Sequence, residues 1–171
     1  FFHPDPTVKR QSGFLMPSFI NSSSNGTSLN VPYFLAIAED KDATFRPRFY
    51  NKNKTLLQTE FRNVGKNFEN LIDTSSLLKK GKITKSHFFS SSKSNIKINN
   101  FDESEVTLDL QQVSNDTYLK NQKLSSPLID NNSLLTSSFG VSASREDLAF
   151  NVDFLIYEDL NKKKRDRYEF V

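Results

Sequence analysis

The stretch "SGFLMPSFINSSSNGTSLNVPYFLAIAEDKDATFRPRFYNKNKTLLQTEFR", residues 12–62, alternates apolar and polar side chains over most of its length. A period of two is that of a β-strand with one apolar face. Between 42 and 50, Ala43, Phe45, Pro47 and Phe49 share one face, and Asp42, Thr44, Arg46, Arg48 and Tyr50 share the other. A proline sits inside each of three successive strands: Pro17, Pro32 and Pro47, equally spaced. Proline has no backbone N–H and is normally kept out of sheet interiors. If "SSSNG" (22–26) and "AEDK" (38–41) are symmetric turns, Pro17 falls opposite Pro32 and Pro32 opposite Pro47. The three then form one row across strands one to three. Each removes a ladder donor worth about 0.5–1.5 kcal/mol net in water. The loss is felt more in lipid, where water cannot replace the bond. The expectation is a locally weakened seam. Edge strands and bulges are the other settings in which sheets accept proline, and a first strand that must open fits both.

The same period recurs along the rest of the chain. In 105–111, Val106, Leu108 and Leu110 alternate with Glu105, Thr107, Asp109 and Gln111. In 148–157, Leu148, Phe150, Val152, Phe154 and Ile156 alternate with Ala149, Asn151, Asp153, Leu155 and Tyr157. Further candidates are 14–22, 27–37, 54–63, 67–77, 84–95 and 134–144. Helical periodicity is nearly absent. The sum is roughly nine strands of about 8–12 residues, close to the 9–11 tilted residues that cross a bilayer. Some connections are tight and polar: "AEDK", "NVGK" (63–66) and "SRED" (144–147). Others are read as longer: "SSSNG", "LKKGK" (78–82) and "SNDTYLKNQKLSSPLIDNNS" (114–133). A meander with short turns at one end and long loops at the other describes a transmembrane β-barrel. The expected fold class is all-β: an antiparallel meander forming an open, curved segment of a large transmembrane β-barrel, with its first and last strands left as edges. A soluble antiparallel sandwich also alternates, with strands of commonly about 5–6 residues. Faces as charged as Asp42–Arg46–Arg48 suit its exterior as well as a wet lumen.

Composition narrows the function. The chain has 171 residues, an apolar fraction of 36%, sixteen Phe and five Tyr, which suits strands with one apolar face more than a thick closed core. Net charge is +3 with acids and bases interleaved, which gives little support for nucleic-acid binding. The basic run Lys162–Arg165 is flanked by Asp159, Asp166 and Glu169 and reads as a solvated loop. The absence of cysteine excludes a disulfide scaffold or thiolate metal site within this stretch. The two histidines, His3 and His87, are far apart, so no His-based metal site is expected. His87 lies in "SHFFSSS", but nothing like a nucleophile elbow surrounds it. No catalytic residue and no cofactor are expected. The chain begins at Phe1 and ends in "RYEFV", which reads as the start of another strand, so an excerpt of a longer protein is expected.

The runs "HPDPTVKRQSGFLMPSF", "VPYFLAIAEDKDATFRPRFY" and "LLQTEFR" closely resemble the start of the barrel in the LptD (organic solvent tolerance, OstA) family of lipopolysaccharide-assembly outer-membrane proteins. The residues that carry the resemblance are Ser12, Gly13, Phe14, Leu15, Pro17, Ser18, Pro32, Tyr33, Ile37, Ala38, Asp42, Ala43, Thr44, Pro47, Arg48, Tyr50, Glu60 and Arg62, with the basic pair Lys9–Arg10 before them. Phe34 and Phe49 stand where the family takes aromatics. "TLDLQQVSNDTYL" at 107–119 looks like a later barrel strand and loop of the family. The resemblance implies that residues 1–11 are a linker from a periplasmic jelly-roll domain and 12–171 the N-terminal part of the barrel. "HPDP" (3–6) would stiffen that junction. It implies lipopolysaccharide (LPS), the plug lipoprotein LptE, the periplasmic bridge protein LptA and outer-membrane lipid as partners, with no nucleic acid. It implies the outer membrane of a Gram-negative bacterium, a non-enzymatic transport role, and a lateral gate beside the first strand, with Pro17 and Pro32 as its weakening residues. Arg46, Arg48, Glu60, Arg62, Asp109 and Asp153 are expected to contact the lumen or a plug. A generic outer-membrane channel or receptor barrel and a soluble β-sandwich binding module are the alternatives.

Overall fold

The computed structural model describes residues 10–22, 25–51 and 53–171. Most of the expected linker, with "HPDP" and Lys9, lies outside the described residues. The chain forms β1 (Gly13–Phe14), β2 (Ser18–Ser22), β3 (Gly26–Asn30), β4 (Tyr33–Ala38), β5 (Lys41–Tyr50), β6 (Lys54–Val64), β7 (Phe68–Lys79), β8 (Lys82–Asn95), β9 (Glu103–Val113), α1 (Tyr118–Gln122), β10 (Leu134–Arg145), β11 (Leu148–Asp159) and β12 (Tyr168–Phe170). The strands make one open antiparallel sheet, ordered β1-β4-β5-β6-β7-β8-β9-β10-β11-β12, with β2 paired to β3 and β3 to β5. β1 and β2 are thus two halves of one strand, and β3 and β4 two halves of the next. The nine strands read from the alternation are all present, and β12 begins a tenth.

Register sorts the side chains onto two faces. Phe45 pairs with Tyr33 and Thr59, and Phe49 with Leu29 and Thr55. Leu108 pairs with Phe139, which pairs with Phe154; Val152 pairs with Val141 and Phe150 with Ala143. These residues define the outer face, and Phe14, Phe19, Phe49, Phe88, Leu108, Leu110, Phe139, Phe150, Val152 and Phe154 on it are all exposed. Arg46, Arg48, Glu60, Arg62, Asp109 and Asp153 fall on the opposite, inner face.

Three expectations need correction. First, the prolines do not stand in one row. Gly13 and Phe14 pair with Phe34 and Tyr33, whereas Ser18 pairs with Asn30. Strand one advances four residues while strand two advances three, so a bulge lies at Leu15–Met16. Continuing the β2–β3 and β3–β5 registers sets Pro17 and Pro47 both beside Val31 on the outer face. Pro32 is one residue out of line and buried, on the inner face. Second, "LKKGK" is not a longer loop. It is a two-residue hairpin turn, with Lys80 at φ 51 and Gly81 at φ 77. Paired positive φ values give a turn that matches strand twist. Third, the 114–133 connection is more than a loop, because it carries α1. At five residues α1 is too short to leave a helical period in the sequence.

The core is not a second sheet. It lies between the inner face and the 114–133 connection, where Tyr118, Leu119 and Leu124 pack with Leu56, Leu77, Phe89, Leu135 and Leu160. Each such burial stabilises by roughly 1.5–3 kcal/mol. A further bulge, in β8, makes this core. Lys79 and Leu78 pair with Lys82 and Ile83, but Leu77 pairs with Lys85, leaving Thr84 unpaired. One extra residue moves every following side chain to the other face. His87 and Phe89 are thereby turned inward beneath α1.

Candidate functional site

The inner face carries two built features, a charged belt and a strap of chain laid across it. The belt begins at β5 and β6. Asp42, buried, accepts hydrogen bonds from Arg10 at 2.7 Å and from Arg62 Nη2 at 2.7 Å. Arg46 donates to Glu60 across the strand pair at 3.0 Å. Farther along, Asp109 accepts from Ser138 at 2.9 Å, and Asp153 accepts from Asn151. Gly140 lies between Thr107 and Asp153, where a Cβ would come within 2.6 Å of both side chains. The sequence-derived candidates therefore share a face but divide into two groups, one on β5–β6 and one on β9–β11. Sequence reasoning missed Asp42, which holds two arginines at once.

The strap runs from β9 back toward strand one. Tyr118 is fully buried, its hydroxyl 2.8 Å from Ser75 Oγ on β7. Gln58 on β6 donates to the Ser125 carbonyl at 3.0 Å. Arg48 donates to the Gln122 carbonyl, and the Tyr50 hydroxyl to Gln122 Oε1 at 2.9 Å. At the far end, Asn25 Nδ2 donates to the Asn121 carbonyl at 2.5 Å and Lys123 Nζ to the Asn21 carbonyl at 2.6 Å. One short segment thus touches β7, β6, β5 and the β2–β3 hairpin. Burial pushes the Tyr118 phenol up to about 12, so it stays protonated at any physiological pH.

Beneath α1, Ser75, His87 and Asp73 stand together. Ser75 Oγ is 2.7 Å from His87 Nδ1, and Asp73 Oδ1 is 3.5 Å from His87 Nε2. The residue types are those of a hydrolytic triad, but the chemistry does not follow. The Asp73 contact is long for a hydrogen bond, and Gln58 already donates to both Asp73 oxygens at 3.0 Å. Asp73 and His87 side chains are completely buried, and the Ser75 hydroxyl is already engaged by Tyr118 as well as His87. His87 instead stacks on Phe89, ring centroids 4.4 Å apart. The group is a polar seat for the strap. Its signal, Asp-x-Ser on one strand and His on the next, was present in the sequence but hidden by the Thr84 bulge.

The strap's other end is pinned by charge. Arg167, in the β11–β12 connection, forks onto Asp116 at 2.9 and 3.1 Å and reaches Glu158 at 3.0 Å. These hydrogen bonds raise Arg167 and hold the Asp116 carboxyl below its ordinary value of 3.8. A carboxylate with a lowered folded pKa adds stability above its unfolded value and loses it as pH falls through the folded one. Backbone amides of 115–124 should therefore keep their hydrogen-exchange protection down to the ordinary carboxylate value of 3.8 and lose part of it as pH falls further. Asp116→Asn should flatten that dependence. The effect is small, because the Asp116 side chain is 41% exposed and solvent screens it.

No family model matches the chain. Among curated proteins it is similar to LPS-assembly protein LptD of Sodalis glossinidius, 46% identical over 54 residues, 32% of this chain and 7% of the relative. It is 50% identical over 54 residues to LPS-assembly protein LptD of Ectopseudomonas mendocina, 32% of this chain and 6% of that protein. With LPS-assembly protein LptD of Pseudomonas aeruginosa it shares 39% over 69 residues, 40% of this chain and 8% of the relative. Over those stretches the chain is similar to LptD. It spans less than a tenth of the length of these LptD proteins.

Strand one is a free edge of this open sheet, and the prolines act on different seams. In an antiparallel ladder, alternate residues direct N–H and C=O to opposite neighbours. Leu15 N–H donates to the Pro32 carbonyl at 2.8 Å, but Pro32 has no N–H to return. Val31 N–H donates to the Pro47 carbonyl at 3.0 Å, again without a return bond. Ser18 faces Asn30 across the ladder, so its neighbour Pro17 turns its main chain to the open edge. Each proline therefore deletes one donor: Pro17 at the free edge, Pro32 between strands one and two, Pro47 between strands two and three.

Proposed function

We propose that this chain is part of the outer-membrane machinery that places LPS in the outer leaflet, and that it forms the N-terminal portion of a larger barrel. Residues 1–11 join it to a periplasmic domain that receives LPS from LptA. The inner face lines the lumen, where Arg46, Arg48, Glu60, Arg62, Asp109 and Asp153 meet the saccharide or the plug lipoprotein LptE. The apolar outer face meets lipid. LPS leaves sideways beside strand one, where Pro17 and Pro32 keep the pairing weak. The role is transport, without bond-making chemistry.

The observation that carries this reading is an open, LptD-like sheet whose outer face is apolar at Phe45, Phe49, Leu108, Leu110, Phe150, Val152 and Phe154 while its inner face is ionic. A soluble sandwich inverts that arrangement, since its apolar face turns inward. A generic channel shares it, and is separated by what the protein exports.

The test is complementation. A strain depleted of the full-length protein should lose surface LPS, and the wild-type gene should restore it. Phe154→Arg places a cation on the lipid face and should cost about 2–4 kcal/mol near the midplane. Its product should fall in outer-membrane abundance and fail to complement. Asn151→Arg, on the inner face, should complement. Unchanged surface LPS on depletion would remove the transport reading; equal tolerance at 151 and 154 would remove the membrane-facing one.

A further inference from the structure

The inner face holds a second, differently charged site at the end of the sheet where the strap lies. A cavity of about 870 Å³ opens there, and Lys54, Lys79 and Lys85 line it together with Tyr50, Asn121 and Gln122. No aspartate or glutamate lines it. The register sets Lys54 directly opposite Lys79. Facing like charges destabilise a strand pair, and two further lysines, Lys80 and Lys82, sit at the same turn.

The contrast with the arginines is the decisive point. Arg10 and Arg62 share Asp42, and Arg46 is matched to Glu60. Those cations are already neutralised by carboxylates. The lysines are not. Lys54 Nζ donates to Asn25 Oδ1 at 2.5 Å and lies 4.5 Å from the centre of the Tyr50 ring. Lys85 Nζ donates to Asn115 Oδ1 at 2.9 Å. Among the described residues, none of the three forms an ion pair. Ammonium groups held by neutral amides have no carboxylate for a ligand to displace, and their three rotatable donors suit phosphate oxygens.

We propose that this cavity binds a phosphorylated saccharide, its phosphates held by Lys54, Lys79 and Lys85 and its hydroxyls by the amide and phenol groups around them. The volume lies within the 300–1,000 Å³ usual for small-ligand sites. A lone phosphate would leave most of it empty. The saccharide half of the assignment rests on the LPS-handling role proposed above; the anion half rests on the cavity alone. Because the strap forms one wall through Asn121 and Gln122, an occupied site also braces the strap.

The experiment uses the full-length protein folded in detergent micelles and titrates three probes by calorimetry: a bisphosphorylated glucosamine disaccharide, the same disaccharide without phosphates, and inorganic pyrophosphate. The bisphosphate should bind, more weakly as salt rises. Its Kd should rise at least tenfold in the triple variant Lys54→Gln, Lys79→Gln, Lys85→Gln, and return to within about threefold with arginine at all three positions. The bare disaccharide should not bind measurably. Lys79→Gln alone guards against misfolding of the triple variant, since the Lys79 side chain makes no hydrogen bond or ion pair among the described residues; it should weaken binding about threefold. Equal binding by the wild type and the glutamine variants overturns the site, as does no binding of the bisphosphate by the wild type. Pyrophosphate binding as tight as the disaccharide overturns the saccharide assignment. None of these results touches the transport reading, which the complementation experiment tests separately.

Discussion

Tyr118→Ala should free the 114–133 strap from the inner face. The Tyr118 side chain is fully buried among Leu56, Leu77, Phe89, Leu119 and Leu124. Truncating a buried aromatic to alanine costs about 3–5 kcal/mol, from lost transfer energy and the cavity left behind. Removing the hydroxyl also takes away its contact with Ser75, at 2.8 Å. If the loss falls on the strap's own opening equilibrium, opening becomes more frequent by about two to three and a half orders of magnitude, since about 1.4 kcal/mol is a factor of ten. The measurement is limited trypsin digestion of the full-length protein in micelles, scored at Lys120 and Lys123, which are exposed. Tyr118→Phe is the internal comparison. It keeps the ring and loses one hydrogen bond, so its effect should stay near 0.5–1.5 kcal/mol. Equal cleavage of Tyr118→Ala and wild type would show that the strap is held by its polar ends alone, at Arg48, Lys123 and Arg167. A uniform loss of barrel stability in place of local cleavage would show that strap and sheet unfold as one unit.

The same region shows what a sequence of this kind discloses. The faces of β5, β9 and β11 were legible, because a strand's alternation depends only on the residues next to each other in the chain. Phe45 and Arg46, or Val152 and Asp153, fall on opposite faces wherever the strand is placed. Register was not legible where a bulge intervened. Ile37, the extra residue between Ala36 and Ala38, put Pro32 out of line with Pro47, and Thr84 turned His87 inward, yet neither residue type announces a bulge. "LKKGK" read as a loop because Lys80, at φ 51, occupies a position that glycine or asparagine usually marks. The strap was illegible for a further reason. Its bonds join residues far apart in the chain, such as Arg48 to Gln122 and Asn21 to Lys123. The family-like motif was in plain view, but the lysine cavity assembles from β6, β7, β8 and α1 and leaves no local pattern beyond the basic cluster at the turn.

Replacing Pro17 and Pro32 with valine should yield a well-folded protein that exports LPS poorly. The two substitutions act on separate seams. Valine at 32 returns an N–H opposite the Leu15 carbonyl and closes a bond pair in which only the Leu15 donor, at 2.8 Å, is now used. Valine at 17 returns an N–H on the open edge, where a closing strand would accept it. Each restored bond is worth about 0.5–1.5 kcal/mol, so the pair firms the pairing of strand one by about 1–3 kcal/mol. A seam firmer by that amount opens roughly 5- to 150-fold less often. The bulge at Leu15–Met16 remains in the variant, so the change isolates donors from strand geometry. Pro47→Val is the control within the same sheet. It adds a donor facing Val31, between strands two and three, and leaves both seams of strand one as they were. It should therefore affect export less than either of the other two. Outer-membrane abundance and surface LPS are measured together for the single and double variants of the full-length protein. Normal abundance with normal export in the double variant would remove Pro17 and Pro32 from any gate. Reduced abundance would mark them as structural prolines whose fixed φ the bulge requires. A stronger effect from Pro17→Val than from Pro32→Val would place the opening at the free edge, because only that donor faces the strand that must let go.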